Sequence, residues 1–132
     1  MNKRPPNVSY GREATLLTIR RGDIWLVSLD PTLGAEIRKT RPAVVVSSDA
    51  VGILPVKLVA PITDWKGYYA HNVWHVQILP DESNGLSKVS AVDVLQLRGV
   101  DAQRFTQKLG RASPIVMDTL ASAIAAVVEY DD

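Results

Sequence analysis

Three cations stand immediately before an apolar run at residues 43–46: Arg38, Lys39 and Arg41. The run reads Ala-Val-Val-Val, and valine strongly favours the extended conformation, so residues 42–48 are predicted to form a buried strand. Pro42 is tolerated as the first strand residue, where no ladder donor is needed, which makes Arg41 the last loop residue. A guanidinium on such a rigid support pairs two phosphate oxygens at once. The pattern therefore indicates phosphate binding, although a solvated loop with a surface ion pair explains the same residues.

A second segment, residues 64–69, interleaves aromatic rings with a cation. The bases of a single-stranded nucleic acid stack on such rings, for roughly 1–3 kcal/mol each. Two interpretations stay open. Either the segment binds nucleic-acid bases, or Trp65 and Tyr69 close the bottom of a small barrel.

The two histidines, His71 and His75, lie on one predicted extended segment, His71 immediately before the strand predicted at 72–79 and His75 within it. Residues four apart in a strand are separated by roughly 13 Å. One metal ion does not span that separation, so neither a metal site nor a cofactor is predicted. His75 is a candidate for acid–base work or for stacking against a base.

The elements that must position these residues are short. Gly and Pro punctuate the chain between five predicted strands, and this spacing favours a small antiparallel barrel over a parallel sheet. The predicted strands cover residues 22–29, 42–48, 54–63, 72–79 and 86–97.

One helix is predicted to close the chain. Ser113 is suited to cap it, and Pro114 is suited to its first turn. A short helical turn is also expected near residues 102–105, capped by Asp101. The sequence thus predicts a mainly β fold with a C-terminal α-helix. Four apolar residues of that helix recur on one face at helical spacing: Val116, Leu120, Ile124 and Val127.

The 132 residues predict one domain at 19–132, preceded by a flexible N-terminal extension at 1–18. A content of 46% hydrophobic and 22% charged residues is typical of a globular protein. The absence of cysteine excludes disulfides, thiolate metal sites and a cysteine nucleophile. No apolar signal-peptide core or membrane-spanning run is apparent, so a cytoplasmic protein without membrane contact is expected.

The net charge of +1 hides an asymmetry along the chain. Residues 1–41 carry eight Lys or Arg against four Asp or Glu, whereas residues 114–132 carry four acidic residues and no basic one. A basic N-terminal third fits a phosphate-rich partner, although such asymmetry also arises by chance in a short chain.

Several motifs follow one another along the chain. They read RGDIWLVSLDPTLG at 21–34, TRPAVVVSS at 40–48, APIT at 60–63, KGY at 66–68 and SAVDVLQLRGVD at 90–101. This ordered set resembles the MazF/PemK/Kid family of toxins from bacterial toxin–antitoxin pairs, and the resemblance covers residues 20–128. It implies an SH3-like small antiparallel β-barrel with a C-terminal helix.

The resemblance also implies an activity. Family members of the toxin class cleave single-stranded RNA without a metal, leaving a 2′,3′-cyclic phosphate and a free 5′-hydroxyl. Arg41 would stabilise the extra charge on the phosphate, and Thr63 matches the family's active-site threonine. A cognate antitoxin and a homodimer are implied as well. The residues expected to bind RNA are Glu36, Arg38, Lys39, Trp65, Lys66, Tyr68, His75, Gln96 and Arg98.

The sequence departs from the family where acid–base chemistry is needed. Kid-like members have a histidine before the loop glutamate and an aspartate in the late strand, where this chain has Ala35 and Leu95. Asp93 occupies the position of those members' arginine. It is two residues from Leu95, so both side chains are predicted to point to one strand face. Asp93 is therefore a candidate catalytic carboxylate, and a solvent-facing carboxylate is the alternative.

A different function class stays open at this point. The structurally related CcdB-type toxins bind DNA gyrase, and SH3-like barrels elsewhere are interaction modules. Since fold does not determine function, a non-catalytic binding protein of the same fold is the alternative to a ribonuclease.

Overall fold

The computed structural model describes residues 18–51 and 54–131, in which seven strands precede one long helix. Short 3-10 turns occupy Asp49–Val51, Gly67–His71, Val94–Gln96 and Ala102–Arg104. The predicted flexible extension lies outside the described residues except for Thr18. No described helix is long and apolar enough to cross a membrane. The elements are β1 (Asp23–Ser28), β2 (Thr40–Val45), β3 (Val56–Asp64), β4 (His75–Ile78), β5 (Ser90–Asp93), β6 (Arg98–Asp101), β7 (Phe105–Arg111) and α1 (Pro114–Val127).

The strands pair antiparallel in the order β4-β5-β3-β2-β1-β7. β3 is the longest, with 9 residues, and serves three neighbours. Its first half pairs with β6, its middle with β2 and its end with β5. The mainly β fold with a C-terminal helix is confirmed. Among the described strands no ladder joins β4 to β7, so hydrogen bonds do not close the predicted barrel.

The second half of β2, at residues 43–45, is buried on both faces, and this burial explains the continuous apolar run. Val44 belongs to a core cluster beneath α1 that includes Ile24 and Leu120. Ala43 and Val45 point the other way, into a second cluster. Alternate residues of a strand point to opposite faces, so a strand between two cores must be apolar at every position.

α1 begins where the sequence predicts. The Ser113 hydroxyl accepts a hydrogen bond from the Val116 amide at 3.2 Å, and Pro114 occupies the first turn. Met117, which the predicted apolar face omits, is buried because the face is wider than one row of residues. Leu120 of the predicted face is buried, and its other members pack half-buried against the same core: Val116, Ile124 and Val127.

The expected turn after Asp101 is also confirmed. The Asp101 carboxylate accepts the Gln103 amide hydrogen at 2.8 Å and caps a 3-10 turn at Ala102–Arg104. Both this turn and the helix start depend on contacts within three residues. Such local capping is what a sequence pattern records most directly.

The second strand begins earlier than predicted. β2 starts at Thr40, so Arg41 lies inside the strand, opposite Val27 of β1, and not in the preceding loop. Pro42 is tolerated there because β3 pairs with β2 only from Ala43 onward, which leaves Pro42 with a neighbouring strand on one side.

The predicted strands at 72–79 and 86–97 are both too long. A 3-10 turn at Gly67–His71 precedes β4, so His71 and His75 do not share one extended segment as predicted. The second prediction spans β5 and the 3-10 turn at Val94–Gln96, and it ends one residue before β6. It fails because the Asp93 side chain accepts hydrogen bonds from the amides that follow it, which ends β5.

No predicted strand covers β7. Its residues read Phe-Thr-Gln-Lys-Leu-Gly-Arg and are mostly exposed, so apolar alternation is absent. Pairing with β1, from Asp23 opposite Arg111 to Val27 opposite Phe105, is what makes this segment a strand.

A buried carboxylate joins the start of β1 to the end of β7. Asp23 is fully buried, and its Oδ1 contacts the Arg111 guanidinium and lies 3.5 Å from Lys108 Nζ. Its Oδ2 accepts the Arg20 amide hydrogen at 2.9 Å and the Trp25 indole hydrogen at 3.3 Å. Both oxygens thus have partners, the condition under which a buried charge is tolerated.

Asp23→Ala is expected to lower the free energy of unfolding by about 2–4 kcal/mol, because charge-assisted hydrogen bonds to a buried group are lost. Urea unfolding followed by tryptophan fluorescence measures the change. The control is Asp64→Ala, which removes an exposed ion pair with Lys88 at 3.3 Å. It is expected to cost less than about 1 kcal/mol. Equal losses in the two variants would contradict a special role for Asp23.

Candidate active site

A cleft of about 360 Å³ opens between the loop before β2, the end of β3 and the turn after β5. The structure brings the three predicted catalytic residues together here, each from a different strand. Five predicted site residues line the cleft: Arg41, Thr63, Lys66, Asp93 and Gln96. The other lining residues are Ala35, Ile37, Asp64 and Tyr69.

Arg41 and Thr63 line the same cleft from neighbouring strands. The β2–β3 ladder reaches Ala43 opposite Pro61, and each of the two residues lies two positions beyond this pair on its own strand. Arg41 is exposed, and its Nε donates a hydrogen bond to the Arg38 carbonyl at 3.3 Å, which orients the guanidinium. A guanidinium and a hydroxyl in one cleft are both donors for phosphate oxygens.

Asp93 caps the turn that follows β5. Its Oδ1 accepts the amide hydrogens of Leu95 at 3.0 Å and Gln96 at 3.2 Å, and the residue is only 7% exposed. The solvent-facing alternative for Asp93 is therefore wrong. Leu95 lies in the turn and is 63% exposed, so the prediction that Asp93 and Leu95 share a strand face is also wrong.

His75 faces Asp93 across the β4–β5 ladder, in which the two residues pair directly. His75 Nε2 lies 3.5 Å from Asp93 Oδ2, and the two side chains are 8% and 10% exposed. The imidazole stacks on the Tyr69 ring, with centroids 3.7 Å apart. Since Tyr69 covers one face and the side chain is only 8% exposed, base stacking on His75 is disfavoured, and acid–base work stays the prediction.

Tyr69 is a cleft residue outside the predicted site set. Burial raises the pKa of its phenol, and the neighbouring Tyr68 hydroxyl and the Asp93 carboxylate raise it further, so the phenol stays protonated at neutral pH. Trp65 and Tyr68 pack edge-on against its ring. Neither Trp65 nor Tyr69 belongs to a core cluster, which disfavours the barrel-closing interpretation of these residues. The sequence signal for Tyr69 was its place in the aromatic loop after Thr63.

The Gln96 side chain connects the turn after β5 to the loop before β2 through two hydrogen bonds. Its Oε1 accepts the Ile37 amide hydrogen at 2.5 Å, and its Nε2 donates to the Ala35 carbonyl at 3.1 Å. These three residues line both the cleft and a neighbouring groove of about 480 Å³. Glu36 and Arg98, both predicted to bind RNA, line that groove and not the cleft.

Two of these side chains also hold the backbone. Glu36 accepts the Leu33 amide hydrogen at 2.6 Å, and Arg98 donates to the Leu29 carbonyl at 3.0 Å. Their roles toward RNA stay predictions. The other predicted RNA-binding residues line neither cavity. Three of them are exposed, namely Arg38, Lys39 and Tyr68, and two are half-buried, namely Trp65 and His75.

The cleft contains groups suited to charge stabilisation and proton transfer. Arg41 and Lys66 provide cations, Thr63 a hydroxyl, and Asp93 a carboxylate anchored within the wall. These groups suit a reaction at a phosphate, in which the phosphate oxygens gain negative charge while a proton is transferred. Within residues 18–51 and 54–131, no three His, Asp or Glu side chains come close enough together to hold a metal ion.

Comparison with known proteins gives consistent matches. The family model described as PemK-like, MazF-like toxin of type II toxin–antitoxin system matches residues 20–128. The endoribonuclease MazF9 of Mycobacterium tuberculosis is 32% identical over 113 residues, which cover 80% of this chain and 92% of that relative. The structure of MazF from Deinococcus radiodurans has a TM-score of 0.69 at 23% identity, covering 83% of this chain and 96% of that chain. An endoribonuclease in complex with its cognate antitoxin, from a mycobacterial species, has a TM-score of 0.68 at 16% identity, covering 86% and 97%.

Gln96→Ala is expected to loosen the loop before β2. Two hydrogen bonds of about 1 kcal/mol each disappear, so amide hydrogen exchange at Ile37 should quicken by roughly tenfold or more. Exchange measured by NMR tests this. Gln103→Ala is the matched control, since Gln103 is an exposed glutamine in another 3-10 turn, and it should leave the loop unchanged. An unaltered rate at Ile37 in Gln96→Ala would mean that other contacts hold the loop.

Proposed function

The chain belongs to the PemK-like, MazF-like toxin family of type II toxin–antitoxin systems, and from this premise we propose that it is an endoribonuclease that cleaves single-stranded RNA in the cleft. The observation that supports this best is the convergence of Arg41, Thr63 and Asp93 from three strands. A further support is the 32% identical relative, which is named an endoribonuclease.

In the proposed reaction, the 2′-oxygen of one nucleotide attacks the adjacent phosphorus. Asp93 takes the 2′-hydroxyl proton, the new oxygen–phosphorus bond forms, and the bond from phosphorus to the 5′-oxygen breaks. The departing 5′-oxygen takes a proton from solvent water. The products are a 2′,3′-cyclic phosphate and a free 5′-hydroxyl, and no metal ion takes part in the proposed step.

Arg41 stabilises the phosphate oxygens as they gain charge, because a guanidinium stays protonated at any relevant pH. The Thr63 hydroxyl donates to the same phosphate, and Lys66 adds a second cation. We expect the rest of the RNA strand to extend along the neighbouring groove and the exposed loops, where it meets the remaining predicted RNA-binding residues: Glu36, Arg38, Lys39, Trp65, Tyr68, Gln96 and Arg98.

Arg41→Ala is expected to slow RNA cleavage by some hundredfold, about 3–4 kcal/mol, because the charge clamp on the transition state is lost. Thr63→Val, which is nearly isosteric, is expected to slow it less. Purified protein is incubated with mixed-sequence RNA in the presence of EDTA, and the cleavage rate and the chemistry of the new ends are measured.

Arg20→Ala is the matched control, since Arg20 is an exposed arginine that lines neither cavity, and it should cleave at the wild-type rate. A folded Arg41→Ala protein as fast as the wild type would place the active site elsewhere. Wild-type protein that cleaves no RNA would favour the alternative, a non-catalytic, CcdB-like binding protein. No contact in the cleft specifically supports that alternative.

A cognate antitoxin is the proposed partner, as in the mycobacterial endoribonuclease complex that shares this fold. We expect a small, partly disordered protein whose acidic and apolar tail covers residues 35–41 and 64–69. Negative charges that mimic RNA give fast, electrostatically steered binding, and a large covered surface offsets the entropy cost of ordering the tail. A homodimer, expected from the resemblance, and a cytoplasmic location, expected because no signal-peptide core or membrane-spanning run is apparent, stay predictions.

Neutralising Arg38, Lys39 and Arg41 together with glutamine is expected to weaken antitoxin binding by about tenfold or more at low salt and to flatten its salt dependence. The product of the reading frame immediately upstream is the antitoxin to test, by calorimetry at several salt concentrations. Glutamine at Arg20, Arg21 and Lys108, near the start of β1, removes the same charge and is the control. Binding untouched by the first triple change would contradict this partner surface.

A further inference from the structure

We propose that His75 is a positioning residue that acts through Asp93: its imidazole holds the carboxylate in the orientation from which it takes the 2′-hydroxyl proton. His75 does not line the cleft, so it does not itself contact the RNA. The role rests on the proposed ribonuclease function.

The imidazole of His75 is held on two sides. Its ring stacks on Tyr69, with centroids 3.7 Å apart and planes 14° from parallel. Its Nδ1 lies 3.1 Å from Nδ2 of Asn72. An amide nitrogen only donates, so Nδ1 accepts and the proton of the neutral imidazole is on Nε2. Asn72 thereby selects the tautomer that donates toward Asp93.

Each oxygen of Asp93 then has its own partner. Oδ1 accepts the amide hydrogens of Leu95 and Gln96, and Oδ2 lies 3.5 Å from His75 Nε2. His75 and Asp93 are a direct cross-strand pair, so the β4–β5 ladder fixes both backbones. Such pairs have Cβ atoms about 5 Å apart, and the side chains meet without long flexible stems. Two amides and one imidazole thus restrain the carboxylate from two directions.

Little water reaches this pair. The side chains of His75 and Asp93 are 8% and 10% exposed, and Tyr69 covers one face of the imidazole. A polar contact in such a site is stronger than in water. The contact with His75 therefore holds the Asp93 carboxylate with the accuracy that proton transfer requires. His71 has no comparable setting, since it is exposed at the end of the preceding 3-10 turn.

The test compares kcat and KM for RNA cleavage in His75→Phe, His75→Gln and the control His71→Phe. Phenylalanine keeps a ring that stacks on Tyr69 but removes the Nε2 donor. We expect kcat to fall by about ten- to hundredfold with KM within about twofold of the wild type. Glutamine supplies a donor of similar reach and should recover part of kcat. His71→Phe should match the wild type.

A double-mutant cycle with Asp93→Asn shows whether His75 acts through Asp93. Once residue 93 no longer accepts the proton, His75→Phe is expected to cause no further loss of kcat. Additive losses would overturn the role. Thermal unfolding checks that each variant is folded. If His75→Phe is not folded, Asn72→Ala removes the side-chain amide that donates to His75 Nδ1. Its expected loss of kcat, about three- to tenfold, should also vanish in the Asp93→Asn background.

Imidazole nitrogen NMR of the free protein gives a readout that needs no RNA. The Nε2–H tautomer of His75 is expected in the wild type, and Asp93→Asn should shift the Nε2 resonance while Asp64→Asn should not. A dominant Nδ1–H tautomer would overturn the proposed contact.

The outcomes separate the role of His75 from the ribonuclease function. Wild-type protein that cleaves no RNA overturns the proposed function and this role with it. Wild-type protein that cleaves RNA while folded His75→Phe keeps its kcat, or changes only in KM, overturns the role of His75 alone. A loss of kcat, partial recovery by glutamine and no further loss beside Asp93→Asn support it.

Discussion

The hydrogen bonds by which Asp93 ends β5 hold the candidate site together. They convert a continuing strand into a 3-10 turn at Val94–Gln96. The turn carries Gln96 to the loop before β2, where its side chain amide holds the backbone of Ala35 and Ile37. The same carboxylate keeps its second oxygen toward His75. One capping interaction therefore shapes the wall of the cleft, anchors its loop and presents a carboxylate to it.

A second constraint comes from burying β2 between two cores. Since Ala43, Val44 and Val45 are fixed by packing on both faces, the register of β2 against β3 is strongly specified. A slip of one residue would move Val44 from one core to the other and would carry Arg41 away from Thr63. The apolar run is thus what positions a charged residue at the cleft, and the stability of the core and the geometry of the site are set together.

The sequence predicts the structural features that depend on neighbouring residues and does not predict those that depend on residues far apart in the chain. The start of α1 at Ser113 and the turn after Asp101 follow from caps within three residues, and both are confirmed. β7 was missed because its polar sequence becomes a strand only by pairing with β1. Asp93 was placed on the wrong face because its side chain bonds to its own backbone instead of continuing the strand.

The same distinction explains the site. Arg41 and Thr63 are predicted from motifs, because each lies within a recognisable run of residues along the chain. The His75–Asp93 contact is not, since it joins residues of different strands and no short-range pattern records it. Ala35 and Leu95 carry only hydrocarbon side chains and have no proton to give or take. Acid–base chemistry in this cleft must therefore come from other groups, and the only buried carboxylate among its described lining residues is Asp93. In the proposed reaction Asp93 therefore takes the proton, and the turn that its side chain caps keeps it in the same cleft as Arg41 and Thr63.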